Sequence, residues 1–444
     1  MKTKLLPLII VILSCGLWSC NDQCKETRVT RRLTPFTRTL KDIRSAVKAE
    51  SAHILKRPGK LYTKGKYLFI NEIKQGIHVI DNSDPSNPVF VSFISIPGNG
   101  DLAVRDNILF ADSYTDLVSL DITDPVNVKE VGRVQNVFKN GQFDGSWWSV
   151  NAGNGSVWDA EDAAIQDFNV DFVTETITTN CEENSIYPGW GGGVFLAFAD
   201  MASFSKSAGA AGSASASPNS SGGSSGQAGS MARFALHQNF LYTVSQTSLH
   251  LFDVSKPEKP ADFSTVEIGR SIETIFPYQN KLFIGSANGM FIYDNANPAK
   301  PTQLSVFQHG TACDPVVVAN DIAYVTLRTG TNCNGAQNQM DLVDVSNATS
   351  PKLITSYQMQ NPHGLSIDFP TLYLCEGDNG LKVFDATDKM TIDKNLLAHF
   401  KDMDAYDVIS LGKTLLLIGK DGFYQYDSSD PKNLRLLSKI LVQK

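Results

Sequence analysis

Six residues carry most of the chemistry this sequence offers: Asp101, Arg233, Glu273, Asp314, His363 and Asp407. All but His363 lie roughly twenty residues ahead of an aspartate that closes a recurring β-rich pattern; His363 adjoins Gly364, which holds the counted place in its copy. Asp314 enters the series once a loop about ten residues longer than its counterparts is allowed for, and the first copy offers Lys60 or Leu61. Carboxylates brought together can do three things. They can form a hydrated polar plug in which Arg233 offsets part of the charge, hold a cation, or act as acid and base if their pKa values are split. The second use implies a divalent cation in a central channel, and the third a hydrolase or lyase.

Other motifs with catalytic lettering do not stand up in context. Gly222-Gly-Ser-Ser-Gly226 has the spacing of a nucleophile elbow but lies in low-complexity sequence, with no strand and helix to expose the serine. Gly189-Trp-Gly-Gly-Gly193 lacks the Lys and Ser/Thr of a phosphate loop. Asp167, Asn169 and Asp171 have calcium-loop spacing without the glycine and terminal glutamate. No pair of histidines is spaced His-x-x-x-His, and most fall on strands, where packing explains them as well as metal binding does. Cys313 and Cys333 are more promising. They precede and follow strands so as to meet on one face of a propeller blade, and a bridge closing about twenty residues would stabilise by roughly 3 kcal/mol in the chain-entropy model. Cys375 falls on the same face and competes as a partner.

The elements that must position these residues are repeats. Tyr67-Leu-Phe-Ile leads to Gly76-Ile-His-Val-Ile-Asp81, and Ile108-Leu-Phe-Ala to Leu117-Val-Ser-Leu-Asp121. Further copies close on Asp253, Asp294, Asp344, Asp385 and Asp427, so successive closing aspartates are 40, 132, 41, 50, 41 and 42 residues apart. β-Branched and aromatic residues suit a pleated, half-buried surface. Each closing Asp begins a polar turn, such as Asp81-Asn-Ser-Asp-Pro, in which its carboxylate can accept a downstream backbone N–H. Four strands per roughly forty residues is the arithmetic of a β-propeller blade. The expected fold is therefore all-β: a propeller of seven four-stranded blades, with a short N-terminal helical segment and a long insertion between blades two and three. A solenoid is the competing arrangement; the last copy lacks a distinct cap, which favours a closed ring.

These strands resemble the LVIVD repeat of bacterial surface and envelope propellers, most clearly at Gly76-Ile-His-Val-Ile-Asp81 and Asp341-Leu-Val-Asp-Val-Ser346. Ser230-Met-Ala-Arg-Phe-Ala235 and Ala323-Tyr-Val-Thr-Leu-Arg328 are also similar to those lipoproteins. The resemblance runs from Gly59 onward, apart from the insertion. It implies a propeller on a lipid anchor and brings no catalytic residues with it. The signatures of WD40 and kelch blades are missing.

The first twenty residues imply where the chain goes. Lys2 and Lys4 precede an apolar run from Leu5 to Leu13, and Leu17-Trp18-Ser19-Cys20 has the form of a lipobox. The run is too short to span a bilayer. Processing would leave Cys20 as the acylated first residue, anchoring the chain to a membrane of the cell envelope, the outer membrane being the expected one. Residues 1–19 then form the signal peptide and 20–57 a lipidated tether with a short helix; Ile43, Ala46, Val47, Ile54 and Leu55 have loosely helical spacing there. Residues 58–134 make blades one and two, 135–230 the insertion, and 231–444 blades three to seven. The insertion holds Trp147, Trp148, Trp158 and Trp190 and an acidic stretch, Val157 to Asn184, without Lys or Arg. It ends in Ser203 to Ser230, almost all Ser, Gly and Ala, too poor in apolar bulk to order itself. It is either a variable loop or a lobe that contacts a protein or carbohydrate.

The chain is 42% hydrophobic and 19% charged, with a formal net charge of −7. That balance argues against a nucleic-acid partner, which favours a basic patch. The expected function is a binding or scaffolding lipoprotein, with an envelope hydrolase or lyase, or a structural protein acting through the acidic insertion, as alternatives.

Overall fold

The structure is a computed structural model that describes residues 23–143, 146–151, 163–180, 227–310, 315–329 and 337–442. The chain divides into two units, residues 1–34 with 169–200 and residues 35–168 with 201–444. The smaller contains most of two long strands, Gln23–Thr39 and Ala164–Asn180, where the Thr30 hydroxyl donates to the Val173 carbonyl (3.3 Å).

The larger unit is a seven-bladed β-propeller. Six blades are four-stranded antiparallel sheets in sequence order, and blade one is widened to six strands. The blades occupy residues 58–95, 102–134, 234–267, 272–308, 316–358, 365–400 and 405–441. Every innermost strand neighbours that of the next blade, and blade seven returns to blade one. All seven closing aspartates behave as their turn chemistry requires. Asp81, Asp121, Asp253, Asp294, Asp344, Asp385 and Asp427 each accept the backbone N–H two residues on, at 2.8–3.0 Å. Just before each turn the third and fourth strands slip by one residue, a bulge that adds local twist. Gly76 and Gly422 open their strands at φ +149° and +147°, where a Cβ would run into the carbonyl of the adjacent strand.

Among the described residues no strand is shared at the ring closure. Leu61, Leu68, Ile70 and Ile80 of blade one form a single buried cluster with Ile409, Leu416, Ile418 and Phe423 of blade seven. Above this contact the side-chain amides of Asn82 and Gln425 exchange two hydrogen bonds (2.7 and 2.8 Å).

The N-terminal helical segment is shorter than the spacing suggests, covering only Leu40–Ser45. Thr39 caps it by accepting the Asp42 N–H (3.1 Å). Leu40 and Ile43 are buried, each contributing roughly 1.5–3 kcal/mol of transfer free energy. Lys48–Ser51 then becomes a strand on the outer edge of blade one, so the apolar residues beyond the helix obey a different period. Leu55 is buried and Ile54 exposed. Beginning the insertion, Gly141–Phe143 and Ser146–Asn151 form a small sheet with residues 164–166. Its Phe143, Trp148 and Ile165 cluster with Leu40 and Ile43 on Ile73 of blade one and Tyr114 of blade two. Lys74 and Tyr114 both reach Asp167 there (2.8 and 2.9 Å).

Candidate functional site

The centre of the propeller is assembled by strand register. In the hairpins joining first to second strands, Lys64 faces Tyr67, Arg105 faces Ile108, His237 faces Phe240, Tyr278 faces Lys281, Asp368 faces Thr371 and Leu411 faces Thr414. Counting back equally from these pairs reaches Lys60, Asp101, Arg233, Thr274, Gly364 and Asp407; in blade five, where Ala319 faces Ile322, the same count reaches Pro315 and not Asp314. Thr274, not Glu273, holds the place in blade four. Glu273 lies at a bulge between Ile272 and Thr274 and is half-buried. Asp314 lies outside the described residues, as do Cys20, Cys313 and Cys333.

What fills the centre is the chain itself. Coming back from the insertion, Gln227–Ala228 pairs with the innermost strand of blade one. Ser230 next donates its hydroxyl to Asp407 of blade seven (3.0 Å) and accepts the Leu365 N–H of blade six (2.9 Å). Ala232 offers its carbonyl to Ile275 of blade four (2.7 Å). The N–H groups of Arg233 and Phe234 then bond one oxygen of Asp101 in blade two (2.7 and 3.0 Å) before the segment becomes the innermost strand of blade three. Ala228, Ser230, Met231 and Ala232 are all buried. Residues 227–233 therefore cross the channel and touch the inner strands of five blades.

Charge is distributed around this crossing. Lys60 donates to Asp101 at 2.8 Å, with side chains 1% and 4% exposed. Burial pushes Lys60 down to about 8, against the attraction of Asp101. Asp407 is raised by burial to about 7, against the hydrogen bonds it accepts from Ser230. Burial also raises Asp112, which accepts the N–H groups of Gly100 and Asp101 (2.7 and 2.9 Å). Arg233 lends its backbone, not its guanidinium, to Asp101; the guanidinium reaches the Val244 carbonyl (3.1 Å). Gly229 and Gly364 flank Asp407 so closely that a Cβ on either would overlap its carboxylate, which explains glycine at both positions.

His363 is buried, not rim-exposed, at 1%. Its Nε2 lies 2.9 Å from Arg328 and its carbonyl accepts the Thr326 hydroxyl (2.8 Å). Cys375 is a buried thiol packed among Leu381, Val408 and Leu417, and burial raises its pKa well above normal. Among the described residues, metal-ligating side chains converge not in the channel but on blade one, where donor atoms of His53, Glu72 and His78 lie within 4.8 Å of one another. No described helix is long and apolar enough to cross a membrane.

The sequence comparison decides the nature of the blades, because the LVIVD repeat matches residues 60–94 and 332–359. Two segments of the chain are thus LVIVD repeats. The first match spans nearly all of the four repeat strands of blade one, and the second the third and fourth strands of blade five. No curated protein matches the chain in sequence. Among solved structures it is similar to PpgL, the periplasmic gluconolactonase of Pseudomonas aeruginosa, at 11% identity and a TM-score of 0.50, covering 86% of this chain and 96% of that one. It is also similar to BamB from Moraxella catarrhalis (8% identity, TM-score 0.43, 89% and 99% covered). A computationally designed protein, Ika8, gives 9% identity and a TM-score of 0.48, with 89% of each chain covered. At these identities the likeness is one of fold.

Proposed function

We propose that this protein is a non-catalytic binding or scaffolding lipoprotein of the cell envelope. The observation that carries the reading is how Asp101 and Asp407 are used: both spend oxygens on the chain's own returning segment. A channel occupied in that way holds the insertion in register and leaves recognition to the rim and to the insertion. The lipobox ending at Cys20 supplies the anchor, and the acidic, Trp-rich insertion the surface for an envelope protein or carbohydrate. Trp147 is 49% exposed beside its buried neighbour Trp148, the kind of half-free aromatic that contact surfaces favour.

One observation favours an envelope hydrolase or lyase instead. Asp407 at about 7 and Lys60 at about 8 both titrate near neutrality, and such pairs gather at catalytic sites. The two readings separate in one experiment. Full-length protein and a variant with residues 135–226 replaced by a short linker are extracted in mild detergent and compared by crosslinking and co-purification. The scaffold reading expects the variant to fold, stay in the membrane fraction and lose its partners. Retention of every partner by the variant refutes it.

A further inference from the structure

We propose that blade one carries a metal site of the zinc class, built from His53, Glu72 and His78. Glu72 ends the second strand, Tyr67–Glu72, and His78 lies in the third, Gly76–Asp81. In their hairpin Ile70 faces His78 and Glu72 faces Gly76, so the two are diagonal neighbours on one side of the sheet. His78 Nε2 and Glu72 Oε2 are 2.7 Å apart, with side chains 0% and 4% exposed. His53 arrives from outside the repeat. The edge strand Lys48–Ser51 pairs with the fourth strand of the blade and leads the chain back over it. This brings the His53 ring to 4.7 Å from that of His78 and 4.2 Å from that of Phe93.

The donor set suits a borderline-soft divalent ion. Two imidazoles and a carboxylate form a common three-ligand set for zinc, leaving a fourth position for water or a partner group. His53 Nδ1 lies 2.9 Å from the Ile54 carbonyl, a contact that favours a proton on Nδ1 and leaves the Nε2 lone pair to ligate. Phe90 and Phe93 pack edge-on against His78 and form an apolar wall of the site. The buried His78 Nδ1 has no hydrogen-bond partner among the described residues. A tetrahedral zinc holds its ligand atoms about 3.3 Å apart. The donors, now within 4.8 Å, must draw in modestly, which His53 can do because it sits half-exposed between strands. With its ring proton on Nδ1, neutral His78 would present its Nε2 lone pair to the ion beside the Glu72 carboxylate.

The test uses untagged full chain in detergent, stripped with chelator and titrated with Zn²⁺ against a chromophoric competitor. One zinc per chain is expected. His53→Gln should weaken binding at least about hundredfold, beyond the ~10–100-fold cost of an outer-shell change. Glu72→Gln, of the same shape, should do likewise, and circular dichroism of each metal-free variant verifies the fold. Co²⁺ substitution should give a spectrum without a thiolate charge-transfer band. Absence of stoichiometric zinc, unchanged affinity in folded His53→Gln and Glu72→Gln, or a thiolate band overturns the proposal.

Discussion

Asp101→Asn tests whether the middle of the ring is held by charge. The native carboxylate faces Lys60 at 2.8 Å and also accepts two amides of the crossing segment, at 2.7 and 3.0 Å. Asparagine keeps an oxygen for the amides but leaves the Lys60 ammonium buried without its counter-ion. Removing one partner of a buried pair costs about 3–5 kcal/mol. Lys60 already titrates at about 8, so near pH 7 it can shed its proton, at a cost of about 1.4 kcal/mol per pKa unit. That escape sets the expected loss near the lower figure, about 3 kcal/mol. In thermal unfolding at pH 7 this corresponds to a fall of roughly 6 °C, taking about 2 °C per kcal/mol for a large domain. Adding Lys60→Met removes the orphaned charge, so the double variant should be more stable than Asp101→Asn alone by about 1–3 kcal/mol. A single variant within about 0.5 kcal/mol of the parent, or losses that simply add, would refute the reasoning.

Asp407 predicts a pH effect of definite sign. Its carboxyl is raised from 3.8 to about 7, so its contribution to stability is complete below pH 3.8 and lost as pH climbs through 7. The stability of Asp407→Asn relative to the parent should therefore improve across that window, by at most about 1.4 kcal/mol per pH unit, in denaturant titrations; a flat difference excludes it. In limited proteolysis, nicks should fall in the Ser/Gly/Ala tract ahead of Gln227, while 227–233 stays protected and both fragments remain associated. Early cleavage within 227–233 would show that the crossing segment is not seated.

The fold was largely legible because its determinants are local. The Asp81 and Asp427 turns, and the alternation before them, are written in consecutive residues, so counting repeats yields seven blades. The register of the inner strands could be counted too, and it reaches Asp101, Arg233, Gly364 and Asp407. In blade four the count of twenty back from Asp294 falls on Thr274, one residue beyond Glu273. What the sequence hid is the crossing of the channel. Ser230 meets Asp407 across 177 residues, and nothing in a Ser/Gly-rich stretch signals that its last few residues are buried. The small spacing residues Gly229 and Ser230 are a signal only in retrospect. Glu72 and His78 could have been paired from their diagonal cross-strand places, whereas His53 could not, because only the edge strand Lys48–Ser51 brings it over blade one.

The ring closure described above bears on how the molecule is made. The four repeat strands of each blade are a contiguous stretch of chain, so they can form one blade after another as the polypeptide emerges, with only short loops to close. The exception is the seam. Leu61, Leu68, Ile70 and Ile80 stay uncovered until Ile409, Leu416 and Phe423 have been synthesised, since no earlier residues form their partner surface. The molecule therefore latches with its final blade, and the apolar flank of its first blade is a sticky surface for nearly the whole of its biosynthesis.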